Sequence, residues 1–126
     1  MKLCIDLDGV ICRLKKEGET YDVLLPVDGA PEKLRSLKEA GHYIIINTAR
    51  HMKTCQGNLG MVTARISLIT LNWLEKYNIP YDEIYFGKPH ADVYIDDNAY
   101  RFNNWEDITD DGLNLPVSKE KQLLAP

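Results

Sequence analysis

Apolar positions along the chain change their period several times, and each change marks an element. Residues 2–7 (KLCIDL) are a short, nearly unbroken apolar run, the pattern of a central strand covered on both faces. Residues 30–40 predict a helix: Leu34 and Leu37 recur between Ala30 and Ala40, Pro31 stands at a first helical position, and Gly41 supplies the stop. Residues 43–47 (YIIIN) predict a second buried strand. In residues 61–77, Met61, Val62, Ile66, Ile69, Trp73, Leu74 and Tyr77 recur at helical spacing as far as Asn78 and Pro80, which predicts a second helix. EIYFG at 83–87 and DVYID at 92–96 predict a third and a fourth strand.

The remaining stretches are connections. Residues 11–27 hold Leu14, a KEGE centre, and then Tyr21, Val23 and Leu25, a pattern that predicts a short flap hairpin, too short to be a second domain. The HMKTCQGNLG segment after Arg50 is a polar, glycine-bearing loop, and residues 110–126 read as an irregular arm. Strands alternating with helices imply one α/β domain over residues 1–126, with a Rossmann-like parallel sheet and helices on both faces. In such sheets, ligands collect at the carboxyl ends of the strands.

Composition narrows the partners. A chain of 126 residues, 44% hydrophobic, can bury one real core. A net charge of -4 without an extended Lys or Arg run argues against a nucleic-acid partner and favours a small-molecule substrate. The N-terminus enters strand-like sequence directly, and no apolar stretch is long enough to cross a bilayer, so the expectation is a cytoplasmic protein without a membrane partner. Three cysteines without metal-ligand or paired spacing suggest neither a disulfide framework nor a zinc site; Cys4 reads as a core residue and Cys55 as an unremarked loop thiol.

The chemistry lies at the predicted strand ends. Asp6 and Asp8 close the first strand, Thr48 follows the second, Lys88 follows the third, and Asp96 with Asp97 closes the fourth. Each alone reads as a turn, a cap or a solvated pair. Together they converge on one sheet edge, where two carboxylates about 4 Å apart repel by about 4 kcal/mol at an effective dielectric near 20. Four of them need a cation, and an oxygen-only cluster suits Mg²⁺.

The order DxDGV, a strand ending in NTAR, then GKP, then a strand ending in DD resembles the four motifs of the haloacid dehalogenase superfamily of phosphotransferases, over residues 2–105. The resemblance implies that core fold and a phosphatase that works through an aspartyl-phosphate. Asp6 would be the nucleophile and a metal ligand, and Asp8 the general acid and base with its carbonyl on the metal. Thr48 and Lys88 would hold the phosphoryl oxygens. Asp96 is favoured as the direct metal ligand, with Asp97 acting through water or by orienting Lys88. An acid at the position of Asp8 marks the phosphatase and mutase branches.

Beside these, Arg50 is left open between gripping a substrate phosphate and capping its loop, and Arg13 is a candidate contact for the leaving group. Lys15 and Lys16 read as a solvated tip, the three histidines as unrelated, and Phe102 and Trp105 as packing. No interval has room for a cap domain, so the resemblance is to capless members, and an open site predicts a homo-oligomer. The string ADVYIDDNAYRFNNW also resembles a small subgroup associated with capsule and surface-polysaccharide biosynthesis, which implies a sugar phosphate as substrate. Two other classes compete: a phosphoacceptor receiver domain, whose acidic residues come in a different order, and a non-catalytic phosphosugar-binding protein.

Overall fold

The computed structural model describes residues 1–124. Its elements run β1 (Lys2–Asp6), α1 (Ala30–Glu39), β2 (Tyr43–Thr48), α2 (Leu59–Lys76), β3 (Glu83–Phe86) and α3 (Lys119–Leu124), with 3-10 turns at Tyr21–Val23 and Trp105–Asp107. The three strands form one parallel sheet in the order β1-β2-β3, with Asp6 level with Asn47 and Thr48 level with Phe86. The result is an α/β fold consistent with a Rossmann-like arrangement. Parallel pairing in this register puts the carboxyl ends of all three strands on one edge.

Both long helices form where the sequence predicts them. Gly29 adopts φ 80, a left-handed conformation that costs a side chain-bearing residue more, and Pro31 follows inside the first turn of α1. Asn58 caps α2 by accepting from the Met61 amide, satisfying a donor the helix cannot. Leu34 and Leu37 of α1 and Trp73 and Leu74 of α2 pack with Ile5, Leu7, Ile44 and Ile46 into one core.

That packing occupies one face of the sheet. Successive residues in a strand point to opposite faces, and burial alternates accordingly: Ile44, Ile46 and Thr48 are buried, whereas Cys4 and Tyr43 are exposed. The buried side chains of α1 and α2 join one cluster with those of this face, which puts both helices on the same side of the sheet. The predicted helices on both faces are therefore not found, β1 is a half-open edge strand instead of a covered central one, and Cys4 stands on the open face instead of in the core.

The fourth strand does not form. Residues 92–96 have no ladder partner, Val93 is 70% and Ile95 98% exposed, and the Tyr94 hydroxyl bonds to the Pro89 carbonyl close by in sequence. The β-branched and aromatic run supplied the strand signal, but strand propensity expresses packing against neighbours, and here Val93 and Ile95 face solvent. The flap closes as a hairpin does only at its base, where an antiparallel bridge joins Cys12 to Pro26 and the Arg13 and Val27 amides donate to the Leu25 and Ile11 carbonyls; residues 13–20 form no ladder. It is also pinned by the Trp73 indole, which donates to the Leu24 carbonyl at 2.7 Å.

Trp105 packs as predicted, with its indole donating to the Val10 carbonyl at 2.8 Å and its ring 5.1 Å from that of Phe102. The arm is irregular from Asp110 to Ser118 before α3, and residues 125–126 of the predicted arm lie outside the described residues. Buried His42 fastens it, bonding through Nε2 to the Asp110 carbonyl at 2.8 Å and through Nδ1 to the amino terminus at 3.0 Å. Among the described residues no helix is long and apolar enough to cross a membrane.

Two substitutions test this arrangement by urea unfolding. Ile46→Ala, at a fully buried position, should cost about 2–5 kcal/mol. Ile95→Ser should stay within about 0.5 kcal/mol of wild type, as exposed positions do. A loss at Ile95 comparable to that at Ile46 would show that residues 92–96 are packed in a fourth strand.

Candidate functional site

The parallel register delivers polar side chains to the carboxyl edge from three strands. β1 ends at Asp6, and Gly9 at φ 88 turns the chain back so that Asp8 stands over the same edge. β2 ends at Thr48. After β3, Gly87 turns at φ 104 in a space where a Cβ would lie 2.5 Å from Leu59, and the Lys88 amide then bonds the Thr48 carbonyl at 3.1 Å. Glycine at this point thus lets the chain bring Lys88 to the edge.

The two first-strand carboxylates meet different partners. Lys88 Nζ lies 3.6 Å from Asp6 Oδ1, an ion pair too long for a hydrogen bond. The Tyr94 ring covers the other side of the ammonium at 4.0 Å, a cation–π contact. Burial pushes the Asp6 carboxyl above its usual range; Lys88 pulls it down and Asp8 pushes it up, and burial prevails.

Asp8, by contrast, is held at both oxygens. Arg50 Nε donates to Oδ1 at 2.8 Å and Thr48 Oγ1 donates to Oδ2 at 2.9 Å, while the Arg50 amide donates to Thr48 Oγ1 at 3.1 Å. The Asp8 side chain still keeps 22% of its surface in solvent, and each carboxylate oxygen has a second lone pair open to a further partner.

Several expected roles change with these contacts. Thr48 is fully buried and its hydroxyl hydrogen is committed to Asp8, so in this arrangement it orients Asp8 and does not reach a phosphoryl oxygen. Arg50, 3% exposed, neither caps its loop nor lies open to substrate. Arg13 pairs at 2.7 Å with Asp28 in solvent, away from the edge. Asp96 and Asp97 are exposed, and Asp96 accepts from the Asn98 amide at 2.7 Å.

The carboxylates as placed do not make a magnesium site: among the described residues, no three His, Cys, Asp or Glu side chains stand close enough together to hold a metal ion. The predicted set of Asp6, Asp8, Asp96 and Asp97 is therefore divided, because the strand that was to carry the last two is not formed. Cys12 offers no nucleophile, since burial pushes its thiol up to about 11. Cys55 is buried against Val62 and Ile66 in a small second core instead of lying open in its loop.

Three contributors escaped the sequence analysis. Thr70 of α2 accepts from Arg50 Nη1 at 3.1 Å, Tyr21 of the flap lays its ring 4.2 Å from the guanidinium carbon, and Tyr94 covers Lys88. Only Thr70 left a signal, as a hydroxyl in the buried stripe of α2 between Ile66 and Trp73.

Comparison with solved structures finds a Vibrio cholerae protein, determined as an MCSG target, that is 40% identical with a TM-score of 0.73; the match covers 79% of this chain and 82% of that one. A chain of a Pnkp1/Rnl/Hen1 complex is 25% identical with a TM-score of 0.51, over 77% of this chain and 30% of its own, so the present chain spans less than a third of that larger one. No protein-family model and no curated protein matches the chain.

The raised Asp6 carboxyl makes a prediction about stability. A carboxyl raised in the folded state contributes stability that is complete below its unfolded value and is lost as pH rises through the folded one. Asp6→Asn is neutral throughout, so the melting temperature of the variant minus that of wild type should grow between pH 4 and pH 7. A difference that shrinks with pH would mean that the Lys88 pairing outweighs burial.

Proposed function

The chain belongs to the same family as the Vibrio cholerae protein, and from the geometry of its strand ends we propose that it is a phosphomonoester hydrolase of the haloacid dehalogenase type. The observation that carries the reading is the unequal treatment of two carboxylates two residues apart. Asp6 faces one ammonium at 3.6 Å, whereas Asp8 is gripped at both oxygens by the side chains of Arg50 and Thr48. Neighbouring carboxylates in such different surroundings suit different tasks, one as nucleophile and one as proton carrier.

In the proposed reaction an Asp6 oxygen attacks phosphorus and the ester P–O bond breaks. The departing alkoxide takes a proton from Asp8. Water then gives a proton back to Asp8 and attacks the aspartyl-phosphate, breaking the bond to Asp6 and releasing inorganic phosphate. Lys88 offsets charge on Asp6 and on the phosphoryl group, as phosphoryl transfer chiefly requires. The substrate class is a small phosphorylated metabolite, with a sugar phosphate favoured by the sequence resemblance, and a second copy of the chain is the proposed partner that covers the open edge.

A divalent ion belongs to this reading only as a requirement of the sequence pattern, and no step is assigned to it. The exposure of Asp96 and Asp97 favours a second reading, a phosphosugar-binding protein without turnover. One experiment separates the two: phosphate release from sugar phosphates, nucleotides and p-nitrophenyl phosphate, with Mg²⁺ and with chelator. The hydrolase reading expects release that chelator abolishes. It also expects Asp6→Asn to keep its far-ultraviolet dichroism and lose at least about a thousandfold in turnover, about 4 kcal/mol of barrier. Binding of a sugar phosphate without release would establish the second reading, and full activity in Asp6→Asn would remove Asp6 as nucleophile.

A further inference from the structure

Arg50 is the most deeply buried charge of the edge, its side chain 1% exposed. Its guanidinium is held in three directions: Nε on Asp8 at 2.8 Å, Nη1 on Thr70 at 3.1 Å, and its face on the Tyr21 ring at 4.2 Å. It also reaches Asp8 a second way, because its own amide donates to Thr48 Oγ1, which in turn donates to the other Asp8 oxygen. Both Asp8 oxygens thus trace back to one residue.

We propose that Arg50 is the positioning residue of the site: it acts on Asp8, fixing the carboxylate through its side chain and through Thr48, and makes no contact with substrate. The inference rests on the hydrolase reading for its consequence and on the Arg50–Asp8 geometry for its substance. Burial rules out the open, substrate-gripping posture. A purely packing role fits no better, since a buried ion pair is often replaced by apolar residues at no loss, and among the described residues buried Nη2 finds no hydrogen-bond partner. An arginine that leaves one of its own donors unmet while aligning another on Asp8 is placed for the carboxylate. Lysine would not serve, because one ammonium cannot meet Asp8, Thr70 and an aromatic face together.

The test is a cycle of Arg50→Met, Arg50→Lys, Asp8→Asn and the double variant Asp8→Asn/Arg50→Met, read by p-nitrophenyl phosphate turnover and by melting temperature. Arg50→Met should lower kcat about a hundredfold, the scale of a small misplacement of a reacting group, with KM changed less than about threefold. Arg50→Lys should recover under about a tenth of the loss. In the Asp8→Asn background, Arg50→Met should cost less than about threefold more, because the group it serves is already gone. Millimolar guanidinium should restore part of the Arg50→Met activity and none in the double variant.

A tenfold rise in KM with kcat retained would put Arg50 on the substrate, and an equal loss with or without Asp8 would put its action elsewhere; either overturns the proposal. If Arg50→Met does not fold, Arg50→Gln carries the same cycle. If wild type releases no phosphate, the hydrolase reading falls and the pairing is judged by melting alone. The double variant should then melt no lower than the worse single one, and additive losses would overturn the pairing.

Discussion

Taking a guanidinium out of water costs several kcal/mol unless its charge and most of its donors are met, and in this protein Nε, Nη1 and the flat face of Arg50 are met by three separate parts of the chain, while Nη2 stays unpartnered among the described residues. Asp8 follows β1, Thr70 comes from α2, and Tyr21 comes from the flap. None of these is near Arg50 in sequence, so the cation can be buried only when the first strand, the second helix and the flap are all in place. The same contacts that make Arg50 tolerable in the interior also give Asp8 one orientation.

Asp6 is the counterpart. It lies on the open face of the sheet with Lys88 at 3.6 Å, and burial, the largest influence on its carboxyl, holds it above its usual range, whereas Asp8 is gripped at both oxygens. The fold produces this difference through strand geometry. Asp6 still belongs to the ladder and takes the outward side of β1, whereas Asp8 lies past the strand and before the Gly9 turn, bonded to Thr48 at the end of β2 and to Arg50 just after it. A sheet covered on one side only therefore separates two carboxylates that the sequence sets two residues apart.

Much of this was legible in the chain because its signals were local. Pro31 and Gly41 bound α1, the stripe from Val62 to Leu74 marks α2, and YIIIN marks β2. The convergence of Asp6, Thr48 and Lys88 followed from parallel order alone. What the sequence could not reveal depends on neighbours. DVYID carries the composition of a strand, yet whether it pairs depends on an edge elsewhere, and in the structure it lies exposed with Ile95 almost wholly in water. The open face was missed for a related reason, since Cys4 and Ile45 are apolar enough to read as buried on both sides. Arg50 was ambiguous because nothing local distinguishes an arginine facing a ligand from one facing a carboxylate 42 residues away.

The charge balance of the edge explains how it can hold together with Asp96 and Asp97 outside. Lys88 stands within 4 Å of Asp6 and Arg50 within 4 Å of Asp8, so each carboxylate of the edge faces one cation. A further carboxylate brought to 4 Å from one of them would be repelled by about 4 kcal/mol at an effective dielectric near 20, and attracted by about as much to a cation at the same distance. With both cations of the edge already facing Asp6 and Asp8, a second acidic pair gains little there unless another cation arrives with it, and Asp96 and Asp97 lie exposed.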